Sequence, residues 1–148
     1  MFAPKRILVP TDFSEESDEA LKQALELAKQ YNAKVYLLHV AEPIIQCGGD
    51  YCLDAGAVKQ AEEAEIIRAK EMMQRELARF PEGQNIEVIS DIREGDPVHE
   101  ILKEQEERGV DLIVMPSFQK TGFGKRILGH VSEKIMEDAK SPVLLVRH

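Results

Sequence analysis

Short, nearly continuous apolar runs alternate along the chain with longer segments whose apolar residues recur every three or four positions. The runs are Ile7-Leu8-Val9, Val35-Tyr36-Leu37-Leu38-His39-Val40, a third marked by Ile86, Val88, Ile89 and Ile92, then Leu112-Ile113-Val114-Met115 and Val143-Leu144-Leu145-Val146. Their length and richness in β-formers predict strands buried on both faces. Between them, Leu21, Ala24, Leu25 and Ala28 mark one amphipathic helix. Ile66, Ala69, Met73, Leu77 and Phe80 mark a long one over residues 57–80, and Val98, Ile101 and Leu102 a third. A last helix precedes the fifth strand. The stops and starts agree with this division. Asp12 or Ser14 can cap the first helix, with Glu15, Glu16 and Asp18 in its first turn, where the helix dipole favours acids. Asn32-Ala33 ends that helix, and Pro81-Glu82-Gly83 breaks the second. Asp96 and Pro97 supply an N-cap and first helical residue for the third, which Gly109 closes.

Strand and helix in strict alternation predict an α/β fold of three layers. An open, parallel, five-stranded sheet is covered by helices on both faces and joined by right-handed crossovers. No repeat, low-complexity tract or linker divides the chain, so residues 1–148 are expected to form one domain. The polar connection over residues 42–56 is long for this class and is expected to be mobile or functional.

Open α/β sheets bind ligands beyond the carboxyl ends of their strands, where the strand order reverses. Pro10-Thr11-Asp12 after the first strand, Val40 after the second and the loop over residues 116–129 after the fourth should meet there. An aspartate at Asp12 can accept hydrogen bonds from a ribose or a base, although a helix-capping role explains it as well. Backbone amides over residues 129–131, opening the last helix, can hold a phosphate.

Composition narrows the partners. With 19 Lys and Arg against 27 Asp and Glu, the net charge is −8, which opposes general nucleic-acid binding. No apolar run approaches the roughly 20 residues of a membrane span, and the amino terminus lacks signal-peptide features, so a cytoplasmic location is expected. Residues 112–132 carry Lys120, Lys125 and Arg126 and no acid, a candidate anion site or a solvated basic loop. Cys47 and Cys52 are expected to be free thiols in a loop, with a redox-responsive pair as the lesser reading. No nucleophile partners His39, His99, His130 or His148 by sequence, and His39 is expected to be packed in its strand. The acids, dispersed on helix faces, read as solvating charge, and no catalytic constellation is visible in the sequence, which leaves enzymatic activity open.

Ile7-Leu8-Val9-Pro10-Thr11-Asp12-Phe13-Ser14, Leu37-Leu38-His39-Val40, Gly95-Asp96-Pro97 and Val110-Asp111-Leu112-Ile113-Val114-Met115 together resemble the universal stress protein family. So do Leu128-Gly129, Val131-Ser132-Glu133-Lys134-Ile135 and Ser141-Pro142-Val143-Leu144-Leu145-Val146, and the resemblance spans the chain. It implies an adenine-nucleotide alpha hydrolase-like fold with strand order 3-2-1-4-5 and a homodimer paired through the last strand. It also implies a site for ATP or another adenine nucleotide built from Pro10, Thr11, Asp12, Val40, Met115, Gly129, His130, Val131 and Ser132, with no metal beyond magnesium carried by the nucleotide. Members that bind ATP carry G-x-x-G, nine residues, then G-[S/T] after strand four. Here those positions hold Pro116, Gln119, Gly129 and His130. Proline offers no amide to a phosphate, and glutamine adds a side chain where glycine lets the backbone approach. Weak or absent ATP binding in a stress-related regulatory protein is therefore expected. Two alternatives stay open: an ATP-binding member with slow hydrolysis or self-phosphorylation through a modified loop, and a partner-binding module with a vestigial cleft.

Overall fold

The computed structural model describes residues 1–43, 54–120, 126–128 and 130–147, with 118–120 and 126–128 as backbone only. Five parallel strands form the main sheet in the order β3 (Val88–Glu94), β2 (Lys34–Ala41), β1 (Arg6–Pro10), β4 (Leu112–Pro116) and β7 (Val143–Val146). In terms of the five expected strands this is the order 3-2-1-4-5. Register is set at the centre by Ile7 opposite Val35 on one side and Leu112 on the other.

Successive residues of each strand enter different cores, as the two-residue period of a strand requires. Ile7, Val9, Val35, Leu37, Leu112 and Val114 pack under α1 (Glu15–Tyr31), which supplies Leu21, Ala24, Leu25 and Ala28, and under α2 (Ala55–Ala78), which supplies Met73. Leu8, Tyr36, Leu38, Ile113 and Met115 form the opposite core with Ile101 of α3 (Pro97–Arg108) and Ile135 of α4 (His130–Asp138). The expected three layers follow. Among the described residues, no helix is long and apolar enough to cross a membrane.

The helix ends match their sequence signals closely. Ser14, rather than Asp12, caps α1, its side chain accepting from the Ser17 amide, and Asn32 closes the helix in a left-handed conformation. Asp96 caps α3 through the His99 amide, and Gly109 ends it at φ 61°. Ile86, read with the third strand, lies ahead of its first residue. Past Pro116, the expected loop contains a small antiparallel hairpin of β5 (Phe118–Lys120) and β6 (Arg126–Leu128). Cys47, Cys52, Lys125 and Gly129 lie outside the described residues, as do most of the long connection and the side chains of Gln119, Lys120 and Arg126.

The reading of the acids as solvating charge needs correction. Glu16, Glu76 and Glu104 are buried. Glu104 is held in place by two guanidinium groups: Arg93 Nε donates to one carboxylate oxygen at 2.6 Å and Arg108 Nε to the other at 3.0 Å. Arg93 also reaches Glu107, and Arg108 reaches Asp91 at 2.7 Å, so the network ties α3 to the edge strand β3. A buried carboxylate is tolerated because both its oxygens are charge-paired. Removing it leaves two partly buried cations without their shared partner. Glu104→Ala should therefore lower unfolding free energy by roughly 3 kcal/mol in urea titration, whereas loss of Glu137 from its exposed pair with Lys134 should cost under about 1 kcal/mol.

Candidate functional site

Adjacent strands β1 and β4 send their chains to opposite faces of the sheet, β1 into α1 and β4 toward α4. A crevice must open between the two departing chains. A cleft of about 210 Å³ lies there, lined by Pro10, Thr11, Asp12, Val40, Met115, Pro116 and Val131, together with Ser17, Leu38, His39, Glu42, Pro97 and Ile101.

The turn out of β1 is tightly specified. The Thr11 amide donates to the Leu38 carbonyl at 2.8 Å, which continues the pairing of β1 with β2 by one residue. The Thr11 hydroxyl accepts from the Phe13 amide at 3.0 Å and donates to the carboxyl of Glu76, whose two oxygens both lie 3.0 Å away. Phe13 adopts φ 66°, a region unfavourable for a bulky residue. Its ring lies 4.5 Å from that of His39, and His39 Nδ1 lies 2.9 Å from the Thr11 carbonyl oxygen, to which its N–H tautomer donates. These contacts hold a strained turn against the end of β2.

Asp12 stands at the tip of this turn. Its Oδ1 accepts from the Ser14 amide at 3.0 Å and from the Ser17 hydroxyl at 2.6 Å. Partial desolvation pushes its carboxyl up, but the hydrogen bonds from Ser14 and Ser17 outweigh this and leave it below the usual carboxylate range. Asp12 thus stays ionised at neutral pH and presents an acceptor to the cleft. Glu76, immediately behind, behaves oppositely. Burial raises it first and Asp18 further, against the Thr11 hydrogen bond, to about 8, so it holds a proton at neutral pH.

On the β4 side two of the described polar groups are turned to internal use. The Ser117 amide donates to the Val146 carbonyl at 3.0 Å, and the fully buried Ser132 hydroxyl donates to the Pro116 carbonyl at 2.9 Å. Ser132, expected at the ligand, instead ties the first turn of α4 to the end of β4. His130 is exposed at the start of α4 and does not line the cleft. Gly129 lies outside the described residues. The remaining expected residues, Pro10, Thr11, Asp12, Val40, Met115 and Val131, come together. His39 is half-buried and packed in its strand as expected, but it lines the cleft as well. Sequence reasoning missed Glu42, Pro97, Ile101 and Ser17 in the lining, and Glu76 behind it. A signal existed for two of them: Pro97 and Ile101 belong to the first turns of a helix whose start was legible. Among the described residues, the charged side chains that line the cleft are Asp12 and Glu42, and no group of acids, cysteines and histidines is arranged to hold a metal.

A family model described as the universal stress protein family matches residues 4–147. Universal stress protein MJ0577 of Methanocaldococcus jannaschii is 35% identical over 154 residues, covering 97% of this chain and 94% of the relative. The solved structure of MJ0577 is 30% identical, with a TM-score of 0.81 over 99% of this chain and 98% of that one. A universal stress protein in complex with cAMP (23% identical, TM-score 0.65, covering 99% and 98%) and one from Archaeoglobus fulgidus in complex with dAMP (20% identical, TM-score 0.57, covering 97% and 98%) share the fold.

The Asp12 geometry generates a direct check. Ser17→Ala removes the shortest hydrogen bond to the carboxylate. The Asp12 titration, followed by NMR of the side-chain carboxyl carbon, should move upward toward the ordinary aspartate value. An unmoved midpoint would show that Ser17 does not hold the charge.

Proposed function

The chain belongs to the universal stress protein family, and we propose that it is a regulatory stress-response member whose cleft takes an adenine nucleotide by its nucleoside end and holds the triphosphate of ATP weakly or not at all. The observation that carries this reading is the contrast between the two walls of the cleft. The β1 wall offers an ionised acceptor, Asp12, beside Pro10 and the neighbouring Val40 of β2, and Met115 near the end of β4 adds apolar surface. That combination suits the hydroxyls or amino group of a nucleoside against a flat base.

Among its described residues, the β4 wall offers little to a polyphosphate. Pro116 has no amide, and the Ser117 amide and Ser132 hydroxyl are engaged within the protein. Asp12 and Glu42 add like charge. At the amino end of α4, Val131 reaches the cleft, and a helix amino terminus favours a single phosphate. The relatives in complex with cAMP and dAMP, each a nucleotide with one phosphate, agree with this reading.

The same family membership supports a homodimer. Among the described residues, β7 pairs with β4 and has no neighbour on its other side, so its outer ladder is open. Leu144 on that strand and Met136 on α4 are exposed. Pairing two copies of β7 about a two-fold axis would satisfy the ladder and cover apolar side chains.

Two experiments test these readings. Equilibrium dialysis should find AMP retained more strongly than ATP, with ATP affinity no better than high micromolar. The triple substitution Pro116→Gly, Gln119→Gly and His130→Ser should improve ATP binding about tenfold or more. Low-micromolar ATP binding by the unaltered protein would instead favour an ATP-using member with a modified loop. Sedimentation should find a dimer at micromolar concentration and a monomer or aggregate for Leu145→Pro, since proline removes a ladder donor. A monomeric unaltered protein would remove the dimer.

A further inference from the structure

Glu76 is fully buried on α2, a helix that contributes no residue to the cleft lining. Its carboxyl nevertheless touches the cleft wall, because both of its oxygens lie 3.0 Å from the Thr11 hydroxyl. That hydroxyl in turn fixes the Phe13 amide at a strained φ, and the Thr11 carbonyl anchors His39. A buried carboxyl placed for stability alone would be better replaced by an apolar side chain. This one sits where it governs a strained turn.

We propose that Glu76 is the positioning residue of the nucleotide cleft, and that the proton on its carboxyl keeps the turn over residues 11–14 in its binding shape. The idea rests on the reading of the cleft as a nucleotide site and adds its regulation. The groups facing Glu76 make the proton decisive. From α1 comes Asp18, itself raised by burial first, lowered by hydrogen bonding to Glu76 and by Arg79, and raised again by Glu15 and Glu19. From the C-cap of α2 comes Arg79, whose Nη2 donates to Asp18 at 3.0 Å. From the β1 turn comes Thr11, with His39 of β2 beyond its carbonyl. In the acid form Glu76 donates to Asp18 and accepts from Thr11, which completes a chain from the exposed Arg79 to the cleft. Loss of the proton turns the Glu76–Asp18 hydrogen bond into a repulsion between two desolvated carboxylates. Relief shifts the Glu76 carboxylate away from Asp18, and the Thr11 hydroxyl, which donates more strongly to the ionised form, is drawn with it, so the turn leaves its binding shape. The affinity of the cleft is therefore expected to fall as pH rises through the Glu76 midpoint near 8.

Adenosine is the probe, because it does not titrate between pH 7 and 9. Calorimetry on the full chain should show its affinity falling about tenfold from pH 7 to pH 9, the factor expected when only the acid form binds. Glu76→Gln, which mimics the acid with a donor and an acceptor, should bind as the unaltered protein does at pH 7 and show no such fall. Glu76→Leu should lose about tenfold at pH 7. A Glu76→Gln variant that retains the pH dependence, or a folded Glu76→Leu that binds normally, overturns the proposal. NMR of the unliganded protein separates this from the nucleotide reading. The Thr11 and Phe13 amides should titrate with a midpoint near 8 in the unaltered chain and lose that step in Glu76→Gln. A step that survives unchanged in Glu76→Gln overturns the coupling. Flat amide shifts in the unaltered protein sink the coupling even if adenosine binds, and a titrating step supports it even if adenosine does not.

Discussion

A sheet that is apolar on both faces cannot be left uncovered on either, and most of this architecture follows from that constraint. Ile7, Val9, Val35 and Leu37 point into one core, Leu8, Tyr36 and Leu38 into the other, and each core needs its own helices. Crossovers of fixed hand then force the chain leaving β1 and the chain leaving β4 to opposite faces. The crevice between them is a geometric by-product of covering the sheet. Its position therefore precedes any choice of ligand, and what distinguishes this chain is how the two walls are furnished.

The furnishing is asymmetric. On the β1 side, hydrogen bonds from Ser14 and Ser17 keep Asp12 charged while desolvation keeps Glu76 protonated a short distance behind it. Two carboxyl groups in one neighbourhood are thus pushed in opposite directions by opposite surroundings, a pattern common at functional sites. On the β4 side, the Ser117 amide and the Ser132 hydroxyl are spent on strand and helix anchoring. A serine that in another chain could face a ligand here fastens α4 to the end of β4.

Much of the fold was legible because it depends on period and punctuation. The apolar runs named all five strands of the main sheet, and Asn32, Asp96, Pro97 and Gly109 marked helix ends that the structure keeps. The cleft could be located because its position follows from topology. Its details were less legible, for definable reasons. The direction of the Ser132 side chain depends on the approach of α4 to Pro116, a tertiary fact with no local signature. The hairpin of β5 and β6 lacks the alternation of a longer strand pair and reads as loop. The buried acids were missed because acids on helices are usually solvated.

In the case of Glu76 the sequence did hold a sign. Ala69, Met73 and Glu76 follow the three-to-four spacing of the face that α2 turns to the core, so an ionisable residue occupies a position where apolar side chains belong. At such a position either the group finds a dedicated partner or the helix carries a large desolvation cost. The partner is Thr11, at the end of the strand that opens the cleft and 65 residues earlier in the chain. A polar residue breaking an otherwise apolar helical stripe is therefore a marker for a tertiary contact of high specificity. Here, that contact joins the covering layer of the fold to the turn that carries Asp12, which gives a helix outside the cleft lining a physical means of influencing the cleft.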